Sequence, residues 1–305
     1  MKKIIPLTFD PIFTGIFNDE KNIDIIENFL SIYFNMPIED IKGNVSIKSR
    51  DIISKGKNTM NSQVDLLLKL NDKIINVELN NKLNEGRIDR NIIYACKVHS
   101  TQLHTGDGGY NNIGSTVQIN LNNFVCNDKE LVDSYYFKNE KGKTLSKKFR
   151  IDYVDIEKAK KMQYNDTDEK LAKWLRAITA ITLDGLEREL GGIMDENLKN
   201  KLVDEVEKYN EDDDVIALYS IYTKEELERN TDLYYETKEA REKGLAEGRA
   251  EGLAEGRAEG RAEGRAEGRA EGRAEIITAM LNNDMDINTV SKITGLTIDE
   301  IEKLR

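Results

Sequence analysis

The sequence predicts an α/β fold, and three observations carry that expectation. Phe13, Ile16, Phe17, Ile25, Ile26, Phe29 and Leu30 recur at helical spacing, and Pro37 stops the pattern. Two apolar runs, Val64 to Leu70 and Ile74 to Leu79, then flank the turn pair Asn71-Asp72 and read as a β-hairpin. A second helical stretch runs from Arg87 to Leu103, with Ile88, Ile92, Ala95 and Val98 on one side. Strand-like alternation returns at Thr116 to Leu121 and at Lys148 to Asp155. Helix, hairpin, helix and strand in this order give a mixed core over residues 1–156.

The pattern changes after that core. Residues 157–240 are helical and acidic, with Trp174, Leu175 and Ile178 as expected core positions. Glycine then stands at every fourth position from Gly244 to Gly272, within a Gly-Arg-Ala-Glu repeat over 241–273. Each glycine costs a helix roughly 1 kcal/mol relative to alanine, whereas Ala, Glu and Arg favour it. A period of four drifts around a helix of 3.6 residues per turn, so no fixed apolar seam forms and a heptad coiled coil is excluded. The repeat predicts a solvated helical spacer; the alternative is a bundle of such helices packed through their glycines.

Residues 274–305 return to globular composition. Asp286 and Thr297 read as N-caps, Thr297 to Glu300 as a capping box, and Gly295 as the turn between two short helices. Ile287, Val290, Ile293, Leu296, Ile301 and Leu304 can form a small apolar face. The arrangement resembles a helix-turn-helix, but Asp299, Glu300 and Glu302 suit a DNA groove poorly. Docking or self-association is the expected role. A module of about 30 residues buries too little apolar surface to fold securely alone, so the chain is expected to form a homo-oligomer through its C-terminal region.

Charge narrows the function classes. The net charge of -11 excludes a general nucleic-acid coat, because phosphate binding needs local positive charge. Its distribution is uneven. Lys42 to Lys97 carries eleven Lys/Arg against six Asp/Glu, whereas Asp155 to Ala240 carries 13 against 23. The basic segment surrounds the hairpin and suits a DNA-facing surface. Cys96 and Cys126 make neither a disulfide framework nor a four-ligand zinc site and are expected as buried reduced thiols. Asp10 and Pro11 interrupt the first apolar run, against a signal peptide, and no stretch approaches the ~20 apolar residues of a membrane span. A cytoplasmic chain is expected.

The hairpin VDLLLKL-ND-KIINVELNNK carries the chemistry. With Asn71 and Asp72 as a two-residue turn, Leu70 pairs with Lys73 and Asp65 falls opposite Glu78. Facing residues on one side of an antiparallel pair have Cβ atoms about 4.5–5.5 Å apart. Two carboxylates at that spacing repel when both are ionised, which suggests a divalent cation between them. The opposite face, with Leu66, Leu68, Leu70, Ile75 and Val77, suits a core. On the following helix Arg87, Arg90, Tyr94 and Lys97 lie close to one stripe that can grip a DNA backbone. His99 and His104 diverge around a helix and read as ordinary histidines. The Gly106 to Gly109 run lacks the strand-then-helix setting of a phosphate cradle.

Larger patterns point the same way. Leu7, Asp10, Phe13 and Phe17 at L-x-x-D-x-x-F-x-x-x-F, the strand DLLLKL at Asp65, VELN at 77–80, RNIIY at 90–94 and TQL at 101–103 occur in this order. Together they resemble the recombination-promoting nuclease/transposase (Rpn) family of the PD-(D/E)xK nuclease superfamily. The resemblance covers residues 5 to about 185, and the repeat and helical tail also suit that family. It implies a restriction-endonuclease-like core and Mg²⁺-dependent (or Mn²⁺-dependent) DNA cleavage, linked to recombination, transposition or mobile-element defence. The implied catalytic acids fall on Asp65 and Glu78, with an N-terminal acid at Asp10. Asp65, Glu78 and the Leu79 carbonyl would hold the cation. Oxygen-only ligands favour Mg²⁺ or Mn²⁺ over zinc.

One position departs from the pattern. The superfamily places Lys two residues after the Glu, this family usually Gln, and here Asn80 stands there. Asn cannot act as a general base. Lys82, on the same face by period-two counting, is the candidate to supply positive charge from a shifted position. Two function classes therefore remain open: a DNA endonuclease, and a DNA- or protein-binding scaffold that keeps the nuclease fold with a decayed site.

Overall fold

The computed structural model describes residues 2–52, 62–83, 85–102, 113–124, 130–162 and 168–304. Its N-terminal part runs α1 (Asp10–Phe17), a 3-10 turn (Glu20–Asn22), α2 (Ile23–Phe34), α3 (Ile38–Ile41), β1 (Val45–Ile47), β2 (Asp51–Ile52) and β3 (Ser62–Gln63). There follow β4 (Leu66–Leu70), β5 (Lys73–Asn80), α4 (Arg87–Ser100), β6 (Thr116–Asn122), β7 (Val132–Tyr136) and β8 (Phe149–Asp155). Helices complete the chain: α5 (Ile156–Lys161), α6 (Glu169–Ile178), α7 (Leu183–Leu190), α8 (Glu196–Asn210), α9 (Asp213–Asn282), α10 (Ile287–Thr294) and α11 (Ile298–Glu302).

The hairpin turn sets the sheet. Asn71 takes φ 53°, a left-handed value that asparagine tolerates better than most side chains. It brings Leu70 opposite Lys73 and Leu66 opposite Val77, the register expected from the sequence. Six strands then line up as β1-β4-β5-β6-β8-β7 among the described residues. The pairs β1–β4, β4–β5 and β7–β8 are antiparallel, while β5–β6 and β6–β8 are parallel. A parallel pair needs a crossover, and α4 lies in the one between β5 and β6. The mixed α/β sheet with its flanking helices is consistent with a restriction-endonuclease-like core.

One sheet face is apolar. Leu66, Leu68, Leu70, Ile75, Val77, Val117, Ile119 and Leu121 pack with Phe13, Phe17, Phe29 and Trp174 in one core. Trp174 has ring centroids of Phe29 and Phe17 at 4.6 and 5.8 Å. The same core takes in Leu186, Leu190, Leu202, Val206 and Val215, so burial continues past residue 156 through α8. Ile4 and Thr8 donate backbone hydrogen bonds to the Ile181 and Ile178 carbonyls, tying the N-terminal segment to α6 and the link that follows it.

The other face is polar and yet covered. Asn76, Glu78, Asn80, Gln118, Asn120 and Asn122 are all buried there. The helix above them adapts. Asn91, Ala95 and Val98 are its buried residues, whereas Ile88 and Ile92, expected on the inner side, are exposed. Ala95, which packs with Phe149 and Ile151, and Val98, which packs with Ile52, Val64 and Leu67, lie on the inner side as expected. Cys96, expected buried, is exposed on the same helix, and Cys126 lies outside the described residues. So do His104 and the Gly106 to Gly109 run.

The chain divides into two compact units, Met1–Thr223 and Lys224–Arg305. In the second, α9 is continuous and solvated across the glycine repeat. Its last turns supply Ile277, Met280 and Leu281 to a small cluster with Val290 and Ile301. Asp286 caps α10, Thr297 and Glu300 form the capping box of α11, and Gly295 takes φ 73° between them. Ile293 is exposed instead of joining the expected apolar face. No helix among the described residues is long and apolar enough to cross a membrane.

Candidate active site

Asp65 sits one residue before β4, and continuing the hairpin register by one step sets it across from Glu78. Several bonds hold it there. Its Oδ2 accepts the Leu79 backbone N–H at 2.8 Å, and Asn18 Nδ2, from the end of α1, donates to its carbonyl at 2.9 Å. The Asp65 backbone N–H in turn supports the Glu78 carboxylate. The two acids are thus neighbours on one side of the hairpin. Asp10, at the start of α1, joins them from a third element. Its Oδ1 accepts from Asn81 Nδ2 at 3.2 Å, and Asn81 also donates to the Thr8 carbonyl at 2.7 Å.

Burial and mutual repulsion dominate the electrostatics. Burial, and next the Asp65 charge, push the Glu78 carboxyl up to about 8. Asp65 is raised as well, chiefly by burial, against the Leu79 N–H and the charges of Arg50 and Arg90. Asp10 is raised by burial and by Asp65.

A chain of amides orients Glu78. Asn76 Nδ2 donates to Glu78 Oε1 at 3.0 Å and to Gln118 Oε1 at 2.8 Å. Gln118 passes the chain to Asn120 at 3.1 Å, which donates to the Asp152 carbonyl at 3.0 Å. Glu78 Oε2 faces Arg90 Nη2 at 3.9 Å. Asn80 is not free to replace a catalytic lysine, since its Nδ2 donates to Asn122 Oδ1 at 3.2 Å within the sheet.

Lys82 does not reach Glu78. Strand β5 ends at Asn80, so period-two counting fails beyond it. The Lys82 ammonium lies over the Tyr222 ring, 4.8 Å from its centroid, and its charge acts on Asp10. The helical stripe is also split. Arg90 faces the carboxylates and lies over Tyr94 at 5.0 Å. Arg87 stacks on Phe124 at 4.1 Å. Tyr94 packs against Ile52, Val64, Leu67 and Val98, and Lys97 donates to Ser62 Oγ at 2.7 Å. Tyr94 and Lys97 therefore bind the β2–β3 ribbon to α4. His99 bonds Thr116 Oγ1 at 2.8 Å, an ordinary structural histidine.

Sequence reasoning missed Arg50, Asn76, Asn81 and Gln118. Gln118 and Asn76 look like outward positions of alternating strands until α4 covers them. Arg50 lies between β1 and β2, and only the fold brings it to Asp65.

The donor set fits a hard cation. Asp65, Glu78 and backbone oxygen offer oxygen ligands alone, and two repelling carboxylates gain from an ion between them. Among the described residues no group of three or more His, Cys, Asp or Glu side chains can hold a metal by itself. The carboxylate pair would thus rely on backbone, solvent or phosphate oxygen for the remaining positions. Neither the curated proteins nor the solved structures contain a match to this chain. The family model described as PD-(D/E)XK nuclease family transposase matches residues 7–236, three quarters of the sequence. The chain belongs to the PD-(D/E)XK nuclease family of transposases.

Proposed function

We propose that this chain is a divalent-cation-dependent DNA endonuclease that hydrolyses phosphodiester bonds, acting in recombination, transposition or defence against mobile elements. The observation that carries the reading is the buried Asp65–Glu78 pair, in which burial and like charge raise Glu78 to about 8. Asp65, Glu78 and the Leu79 carbonyl would hold Mg²⁺ or Mn²⁺, with Asp10 alongside. When bound, the cation lowers the pKa of a coordinated water and offsets charge on the phosphate oxygens. The chain does the rest. Asn76 and the Leu79 N–H fix the carboxylates, the apolar core beneath excludes water from their backs, and Arg90 presents positive charge to the substrate.

The test is supercoiled plasmid with purified protein and Mg²⁺ or Mn²⁺, beside Asp65→Ala. Nicked or linear product from wild type alone is the expected result, and equal activity in both samples would refute the assignment. Asn80, engaged with Asn122, favours a second reading in which the fold binds DNA without cutting it. Binding with no product under either cation would select that reading.

Self-association belongs to the same proposal. One hydrolytic site cuts one strand per event, and a homo-oligomer places two sites on one duplex. Ile276, Ile293 and Leu304 remain exposed beside the small C-terminal cluster. Light scattering at micromolar concentration is expected to show an oligomer for the full chain and a smaller species after deletion of residues 274–305. A full-length monomer would count against it.

A further inference from the structure

The superfamily pattern places a lysine two residues after the Glu, and here that position carries no charge. Asn80 is buried and bonded to Asn122, and Lys82 is turned toward Tyr222 and Asp10. Two guanidinium groups from other elements nevertheless act on the carboxylate pair. Arg90 comes from α4 on the Glu78 side. Arg50 comes from the link between β1 and β2; it bonds Val64, the residue before Asp65, and its charge acts on Asp65 together with that of Arg90.

Arg50 is held for such a role. Its Nε donates to the Val64 carbonyl at 2.8 Å, so the side chain is anchored one residue before Asp65. That bond uses one guanidinium edge, and among the described residues the other Nη atom has no partner, so it can form a charge-assisted bond with a phosphate oxygen. The side chain is half-buried, which limits the conformational freedom lost when it binds. A purely structural anchor for Val64 would need a donor and no charge.

We propose that Arg50 contacts the phosphate at the Asp65–Glu78 pair and, with Arg90, supplies the positive charge that Asn80 cannot. The proposal rests on the nuclease reading, and its test separates the two. Arg50→Gln keeps an amide donor for Val64 without charge, and Arg50→Lys keeps the charge without the planar fork. Duplex binding by the full chain is measured by fluorescence anisotropy over a salt series in Ca²⁺, followed by single-turnover cleavage in Mg²⁺.

For Arg50→Gln the slope of log K against log salt is expected to flatten by about 0.9, one phosphate contact's worth. Cleavage is expected to fall about a hundredfold, the usual effect of removing one charge-stabilising donor. Arg50→Lys restores the slope but not the rate. An unchanged slope in Arg50→Gln overturns the proposal even if thermal stability falls, because that result assigns Arg50 to structure. If wild type binds but does not cut, the nuclease reading fails while the salt slope still decides the contact.

Discussion

Protein carrying Glu78→Gln is expected to unfold at a higher temperature than wild type at pH 9 in EDTA, and at nearly the same temperature at pH 4.5. Glu78 is raised to about 8 in the folded chain by burial and by Asp65, against an ordinary value of 4.5. The folded state therefore holds the Glu78 proton more tightly than the unfolded state does. Its contribution to stability is complete below pH 4.5 and is lost as pH rises through 8. Glutamine imitates the protonated form and does not titrate, so the variant keeps that contribution. Each tenfold gain in proton affinity corresponds to about 1.4 kcal/mol, which places the gap on the order of a few kcal/mol. For a protein of this size that is roughly 5–10 °C in Tm. Thermal unfolding across the pH range decides it. Parallel curves for the two proteins would mean that the carboxylates do not crowd one another, and the reason for a cation between them would disappear.

The second large effect lies beneath the site. Trp174→Ala is expected to cost about 3–5 kcal/mol, the usual range for an aromatic removed from a packed core. Trp174 is 2% exposed and packs against the tilted rings of Phe29 and Phe17. It also shares a small apolar gap with Leu66 and Val77, the neighbours of Asp65 and Glu78. The indole Nε1 has no hydrogen-bond partner among the described residues, so Trp174→Phe leaves no acceptor stranded and costs less than the alanine change. Urea unfolding measures both. A loss below about 1 kcal/mol for Trp174→Ala would show that the acidic helices do not share the core of the sheet.

Trp174 also shows how far the sequence could be read. Its helical neighbours marked it as core, but nothing in local periodicity says which core. The helices after residue 156 read as a separate acidic region because their charge is on the outer face, while their apolar stripe packs on the same sheet as α1 and α2. The hairpin was legible in full register, because an Asn-Asp turn and a greasy alternate face leave little choice of pairing. Strands β1 and β7 were not legible. The first is three residues long, and Val132–Tyr136 has no buried residue and lacks apolar alternation.

The site was half legible for a related reason. Asp65 and Glu78 are close in sequence and meet through one turn. Arg50 and Gln118 arrive from separate elements, so their proximity depends on the fold, and Asp10 was legible only through the family resemblance. The inner side of α4 was legible at Ala95 and Val98 but not at Ile88 and Ile92, because periodicity finds apolar stripes and this helix buries Asn91 instead. Lys82 was placed by strand counting that the end of β5 interrupts.

Single-turnover cleavage of an end-labelled duplex tests the central claim most directly, with wild type and Glu78→Gln compared in Mg²⁺, Mn²⁺ and EDTA. The account predicts cation-dependent cleavage by wild type, none in EDTA, and a rate lower by about a thousandfold or more in the variant, as for loss of a group that stabilises the transition state. Equal rates in the two proteins, or cleavage that persists in EDTA, would contradict it.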